Sequence, residues 1–268
     1  MAATVVSSTE PMPNMTPDYE VRLLLNPAKV LSSEHELTDN VRSALNLAPT
    51  AIKLNVQFLD TCAKEIYTAG WSARIRKADN EDDLELTYKK RYAVTDGNID
   101  SALTATKNDG FNAGDTKYKA QIEWGYERQI LSISRKKTVA DAVAGNDNMD
   151  LPGTSDSRQM LIDEAPDKFK NWRPNKWGTS VLAMSRIYGP VFVKRFVGTW
   201  GRIPLYVEIW PLINSQRTGI EYIVEASFKT ENIMTASDER SNLITDLQSK
   251  GWLLLKELLK TQLIMERY

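Results

Sequence analysis

The chain contains a single cysteine, Cys62, and a single histidine, His35. One cysteine excludes an intramolecular disulfide framework and a multi-cysteine zinc site, and one histidine removes most histidine-ligated metals and makes a histidine relay a poor expectation. Any metal would rest on carboxylates, which suit Mg²⁺, Mn²⁺ or Ca²⁺. No apolar run approaches the roughly 20 residues that a membrane-spanning helix needs. The opening residues lack the basic-then-apolar order of a secretory signal. Neither sign of charge dominates: 34 Lys and Arg stand against 35 Asp and Glu. That balance argues against a generally basic binder of double-stranded nucleic acid and against an acidic tail. The expectation is a reduced, cytoplasmic protein that works away from membranes, as a monomer or homodimer.

What is present is ordinary in amount. The 268 residues are 42% hydrophobic and 26% charged, enough to bury about three quarters of the unfolded surface without staples. Residues 1–17 are small, polar and proline-bearing and read as a disordered arm. Alternating segments at 18–25, 52–59, 71–77, 84–92, 117–124, 190–197, 204–210 and 219–229 read as strands, and 129–134 extends this region or starts another element. Residues 28–47 carry a patchy helical pattern. Asp60-Thr61 is placed to cap a short helix closed by Gly70. From about 139 to 185 the pattern weakens into helices and loops, and a leucine stripe from Leu243 to Leu259 predicts one amphipathic helix over about 240–265. The sum is a β-rich α+β domain with about eight strands.

The placement of charge is informative. Residues two apart in a strand share a face. That rule groups Asp18, Glu20 and Arg22; Arg74 and Arg76; Glu85, Thr87, Lys89 and Arg91; and Glu221, Glu225, Ser227 and Lys229, beside Glu208 and Trp210. The alternate positions Ile75, Leu86, Tyr88, Val207, Ile209, Tyr222, Val224 and Phe228 are apolar and fit a core. Two architectures satisfy this pattern. One is an antiparallel sheet with a wet face. The other is a barrel whose charged face turns inward, where arginines and lysines hold phosphate oxygens and carboxylates hold a divalent ion.

The order Asp18-x-Glu20-x-Arg22, Phe58-Leu-Asp60-Thr61, Gly70-Trp71-Ser72-Ala73-Arg74-Ile75-Arg76 and Leu86-Thr87-Tyr88-Lys89 resembles the CYTH superfamily, the triphosphate tunnel metalloenzymes. Lys194 or Arg195 stands where that family has a basic strand, Val207-Glu208-Ile209-Trp210 where it has Glu-x-Asp, and Glu225-Ala226-Ser227 where it has its last Glu-x-Glu. The likeness spans about 18–229 and leaves 139–185 unmatched. It implies an eight-stranded antiparallel β-barrel forming a tunnel, with helices packed outside, a C-terminal helix and a single domain over 18–268 that carries an insertion at about 139–185. It implies Mg²⁺ or Mn²⁺ held by Asp18, Glu20, Glu208, Glu225 and Glu123. It also implies catalytic roles for Glu20, Glu208 and Glu225, and a phosphorylated small-molecule substrate clamped by Arg22, Arg74, Arg76, Lys89, Arg91 and Arg195.

Four positions depart from the pattern. Asp18 is one methylene shorter than the family Glu, and Arg22 replaces a lysine. Trp210 stands for an Asp and Ser227 for a Glu, which leaves donors for one ion rather than two. Three functions fit: a metal-dependent phosphohydrolase acting on an inorganic, nucleoside or small-molecule triphosphate; a lyase or cyclase ionising a diphosphate ester such as an isoprenyl diphosphate, with Trp210 lining the site and its aromatic face steadying a cation; and a non-catalytic polyphosphate- or partner-binding module. Elsewhere His35 reads as a solvated helical residue, Cys62 as an inert, at least partly buried thiol, and Arg135-Lys136-Lys137 as a solvated basic patch.

Overall fold

The computed structural model describes residues 12–141 and 149–268. Nine strands form a closed barrel: β1 (Asp18–Leu25), β2 (Ile52–Asp60), β3 (Trp71–Ala78), β4 (Leu84–Ala93), β5 (Lys119–Trp124), β6 (Gln129–Val139), β7 (Arg186–Trp200), β8 (Ile203–Ile213) and β9 (Ile220–Thr230). Around the ring they run β1-β5-β6-β4-β3-β2-β7-β8-β9, and β9 pairs back onto β1. Every neighbouring pair is antiparallel except β1 and β5, which run parallel from Asp18 opposite Gln121 to Val21 opposite Trp124. The expected eight-stranded, wholly antiparallel barrel is corrected on both counts, and the two corrections are linked. An odd ring cannot alternate direction throughout, so one seam must be parallel.

Side-chain parity separates two apolar cores. The outward positions of the strands, among them Val21, Leu23, Ile75, Leu86, Tyr88, Val207, Val224 and Phe228, are fully buried or nearly so in the larger core. It is covered by helices α1 (Pro27–Val30), α2 (Asp39–Ala44), α3 (Glu65–Thr68), α4 (Ile99–Asn108), α5 (Thr154–Asp163), α6 (Asp167–Lys170), α7 (Trp177–Ala183) and α8 (Ile233–Ser249). Each such side chain stabilises the fold by roughly 1.5–3 kcal/mol relative to an exposed one. The smaller core lies at one end of the barrel interior. There Leu24, Leu54, Val56, Phe58, Trp210 and Ile223 meet Leu263, Ile264 and Met265 of α9 (Lys260–Arg267).

Strand β2 is inverted relative to β3. Its apolar Leu54, Val56 and Phe58 face inward, while Asn55 and Gln57 face outward. Asn55 Nδ2 donates to the Met149 carbonyl at 2.8 Å, and Gln57 Nε2 donates to the Pro152 carbonyl at 3.1 Å and Ser157 Oγ at 2.9 Å. These amides tie the segment between β6 and β7 to the barrel wall. Trp71 packs in the same region against Phe111, Phe169 and Trp172.

Several local expectations change. The helical pattern over 28–47 resolves into α1 and α2, because His35 adopts φ +60 in a turn; its ring stacks on Tyr222 at 4.1 Å while the residue stays exposed. The helix expected over 240–265 ends at Lys250, where Gly251 takes φ +66 and Trp252 N donates to the Leu247 carbonyl at 2.9 Å. Only glycine adopts that left-handed cap without penalty. The chain then runs extended, with Leu254 N donating to the Leu24 carbonyl at 2.8 Å, before α9 begins. Within 12–17 Met15 is buried and the Pro13 carbonyl accepts from Ala113 N, so this part of the expected arm packs on the domain. Residues 1–11 lie outside the described residues. Cys62 is exposed in the turn before α3. No helix among the described residues is long and apolar enough to cross a membrane.

The expected cap at Asp60 forms. Its carboxylate is fully buried and accepts from Thr61 N at 2.7 Å, Ile66 N at 2.9 Å and Tyr67 N at 2.8 Å. Burial pushes its pKa up, against the pull of those three amides. Asp60→Ala is therefore expected to lower the unfolding free energy by about 2–3 kcal/mol, measured by denaturant titration; a loss within about 0.5 kcal/mol would show that the cap contributes little.

Candidate functional site: a charged tunnel

The inward face of the barrel encloses a cavity of about 450 Å³, within the range that takes small-molecule ligands. Asp18, Glu20 and Arg22 reach it from β1, Arg74 and Arg76 from β3, and Thr87, Lys89 and Arg91 from β4. Arg195 enters from β7, Glu208 and Trp210 from β8, and Glu225 and Ser227 from β9. All but Arg195, to which only the family resemblance pointed, were expected from strand parity, and the barrel brings them into one space. Glu123 on β5 is almost fully buried and sits directly opposite Glu20 across the parallel seam.

The acids are spread around the wall, and each of the most buried ones is matched by cations. Glu123 accepts from Arg22 Nη2 at 2.9 Å and Lys89 Nζ at 2.7 Å, with Arg91 Nε at 3.5 Å. Burial alone would raise the Glu123 carboxyl, but these cations hold it well below the usual carboxylate range. Glu85 accepts from Arg74 Nη2 at 2.8 Å and Lys136 Nζ at 2.6 Å, and lies 3.1 Å from Arg76 Nη2. Burial opposes its ionisation too, yet Arg74, Arg76 and Lys136 bring its pKa down to about 2. Glu208 accepts from Arg195 Nε and Nη2 at 2.8 and 2.6 Å, from Trp210 Nε1 at 2.8 Å and from Lys260 Nζ at 2.8 Å. Lys260 Nζ also donates to Glu225 at 2.7 Å and lies 4.6 Å from the Trp210 ring centroid. Glu20 is held more loosely, with Lys229 Nζ at 3.5 Å.

Cations remain in excess after this pairing. Arg22, Arg74, Arg76, Lys89, Arg91, Lys119, Lys136, Arg195, Lys229 and Lys260 line the cavity, against Asp18, Glu20, Glu208 and Glu225 together with the paired Glu85 and Glu123. Arg76 shows the strain: burial, and then repulsion from Arg74 and Arg195, lower its pKa despite Glu85. The Nε–H groups of Arg22, Arg74 and Arg76 are buried without an acceptor among the described residues, a costly state for a donor.

The tunnel cations Lys119, Lys136 and Lys260 escaped the sequence reading. Lys136 belongs to β6, which continues to Val139 rather than stopping near 134. Strand parity then splits the basic run, sending Lys136 to Glu85 and Lys137 to Glu164 at 2.8 Å. Lys260 was hidden inside the single long helix expected there; Gly251 directly after Lys250 was the available signal for the break. Trp210 faces inward, as the diphosphate-ester reading requires, and its indole N–H is taken by Glu208.

The divalent ion implied by the sequence resemblance does not fit this donor set as it stands. Among the described residues no three acidic, histidine or cysteine side chains converge as metal ligands. Glu208 and Glu225, partners across β8 and β9, already share the ammonium of Lys260, and Glu123 is enclosed by three cations.

No protein-family model and no curated protein matches the sequence. Solved structures do match the fold. HpAC1 from Hippeastrum, a proposed adenylyl cyclase with a dominant triphosphatase activity, superposes with a TM-score of 0.57 at 12% identity, covering 93% of this chain and 99% of its own. A proposed adenylate cyclase from Bacillus halodurans gives 0.52 at 10% identity, over 92% and 96%. The expected likeness to the triphosphate tunnel proteins therefore holds for the fold, over nearly the whole chain.

Two outcomes follow from the ion pairs. Removing one partner of a buried pair strands the other charge, so Glu123→Gln is expected to lower the unfolding free energy by about 3–5 kcal/mol, read by denaturant titration; a loss under about 1 kcal/mol would contradict the pairing. Its cationic neighbours bring Glu85 down to about 2 in the folded chain, against an ordinary carboxylate value of 4.5. A depressed carboxylate contributes stability above its unfolded pKa and loses it as pH falls towards the folded value. Thermal stability should therefore drop between about pH 4.5 and 2, and Glu85→Gln should flatten that part of the profile.

Proposed function

We propose that the tunnel binds a phosphorylated small molecule, in the first instance a triphosphate, and processes it with the phosphate chain held directly by side-chain cations. One observation carries this reading: Arg74, Arg76 and Arg195 crowd one wall, and the first two bury Nε–H donors that have no acceptor among the described residues. A guanidinium presents planar, paired donors that match phosphate oxygens. A phosphate chain entering here would satisfy those donors and neutralise the mutual repulsion together. Arg22, Lys89, Arg91 and Lys136 would extend the contact along the tunnel.

For chemistry, the reading favours hydrolysis. Fixed cations around the terminal phosphoryl group would stabilise charge on its oxygens in the transition state. Glu208 and Glu225 are committed to Lys260, so the role of taking a proton from the attacking water falls to Glu20, whose nearest cation stands at 3.5 Å. A second reading draws on the apolar sector beside the cations. Leu54, Val56, Phe58, Trp210 and Leu259 line the same cavity, which suits the hydrocarbon part of a diphosphate ester whose ionisation the cations would assist.

Tripolyphosphate should raise the melting temperature with or without added Mg²⁺, by the equivalent of about 2.7 kcal/mol at a hundredfold excess over Kd. Arg74→Ala/Arg76→Ala should abolish that rise, and an unchanged shift would sink the binding reading. Phosphate release from tripolyphosphate, ATP and thiamine triphosphate then tests the chemistry. Glu20→Gln is expected to slow release by about 10²-fold or more while keeping the tripolyphosphate-induced shift. Binding without release from any of the three, combined with new hydrocarbon products from prenyl diphosphates detected by mass spectrometry, would move the assignment to the second reading. Binding with neither reaction would leave a non-catalytic phosphate receptor.

A further inference from the structure

Lys260 does not come from the barrel wall. It is the first residue of α9, delivered to the interior by the extended segment that follows α8. That segment is fastened on both sides of the lysine. Before it, Leu253 bridges to Leu25 and Leu254 N bonds the Leu24 carbonyl. After it, Leu263, Ile264 and Met265 sit in the inner apolar core with Trp210. The ammonium is thus held at a defined point, 2.8 Å from a Glu208 oxygen and 2.7 Å from a Glu225 oxygen. Glu208 and Glu225 are direct partners across β8 and β9, and their carboxylates converge on one cation. The indole N–H of Trp210 and the guanidinium of Arg195 take further lone pairs of Glu208.

We propose that Lys260 is the resident cation of this acid pair: a tethered ammonium standing where a bridging divalent ion would otherwise stand. The charges support it. Two carboxylates face one ammonium and one guanidinium, so the group is neutral without any metal. A divalent ion added here would meet two positive neighbours and find the converging oxygens already used. Trp210 reinforces the choice, since its ring face attracts the same ammonium. The consequence is a latent site: deleting the ammonium exposes two aligned carboxylates that suit a hard divalent cation completed by water. This assignment concerns only the chain's own residues and stands whether or not a phosphate enters the tunnel.

The test is Mn²⁺ binding to the full chain, followed by electron paramagnetic resonance of the free ion and by thermal melting. The wild type should show no Mn²⁺-dependent shift in melting up to millimolar ion. Lys260→Met should bind Mn²⁺ at least tenfold more tightly than the wild type and melt higher in its presence. Lys260→Met/Glu208→Gln/Glu225→Gln should lose that gain, and Lys260→Arg should remain blind to the ion. If Lys260→Met is unfolded in metal-free buffer, recovery of its circular dichroism on adding Mn²⁺ supports the assignment, and no recovery opposes it. Micromolar Mn²⁺ binding by the wild type that disappears in Glu208→Gln/Glu225→Gln would overturn it, as would a folded Lys260→Met that gains no affinity.

Discussion

An ionised side chain inside a protein must be answered by an opposite charge or by hydrogen bonds, because its desolvation costs several kcal/mol. The barrel is organised around that requirement. Its strands place acids and bases on one face by parity, and closure turns the face inward, so that Glu123, Glu85 and Glu208 each become the centre of a cationic shell. The pairing uses up the acids and leaves cations over. A sequence of formal charge -1 thereby yields a barrel interior lined by an excess of cations.

The same requirement explains which features the sequence reveals. Parity is a local property, and it correctly grouped Arg74 with Arg76 and Glu208 with Trp210 before any strand order was known. The buried alternates, such as Ile75, Leu86 and Phe228, followed from the same rule. The strand count and the parallel seam were not legible, since pairing between β1 and β5 is set by contacts about a hundred residues apart. Lys260 was missed for a similar reason. Leucine spacing continues past a glycine that breaks the helix, and only tertiary docking shows that the next lysine reaches the acids of β8 and β9.

The contents of the tunnel divide along its wall. Arginines and lysines occupy β3, β4 and β6, whereas β2 presents Leu54, Val56 and Phe58. On the outer face of β2 Gln57 is polar, and the segment carrying Pro152 and Ser157 supplies its hydrogen-bond partners. The segment between β6 and β7 and the apolar sector inside thus lie on two sides of one strand.

The parallel seam has a mechanical consequence. β1 and β5 pair only through Asp18–Val21, a shorter run than the other ladders of the barrel, and parallel pairing is slightly weaker per residue. Local opening is easiest where few backbone bonds must break at once. Glu20 and Glu123 face each other across this joint, and like charges there favour separation unless Arg22, Lys89 and Arg91 stay in place. The cations that prepare the tunnel for an anion therefore also act as its clasp, and a guest that draws them away from Glu123 would loosen the ring at its weakest stave.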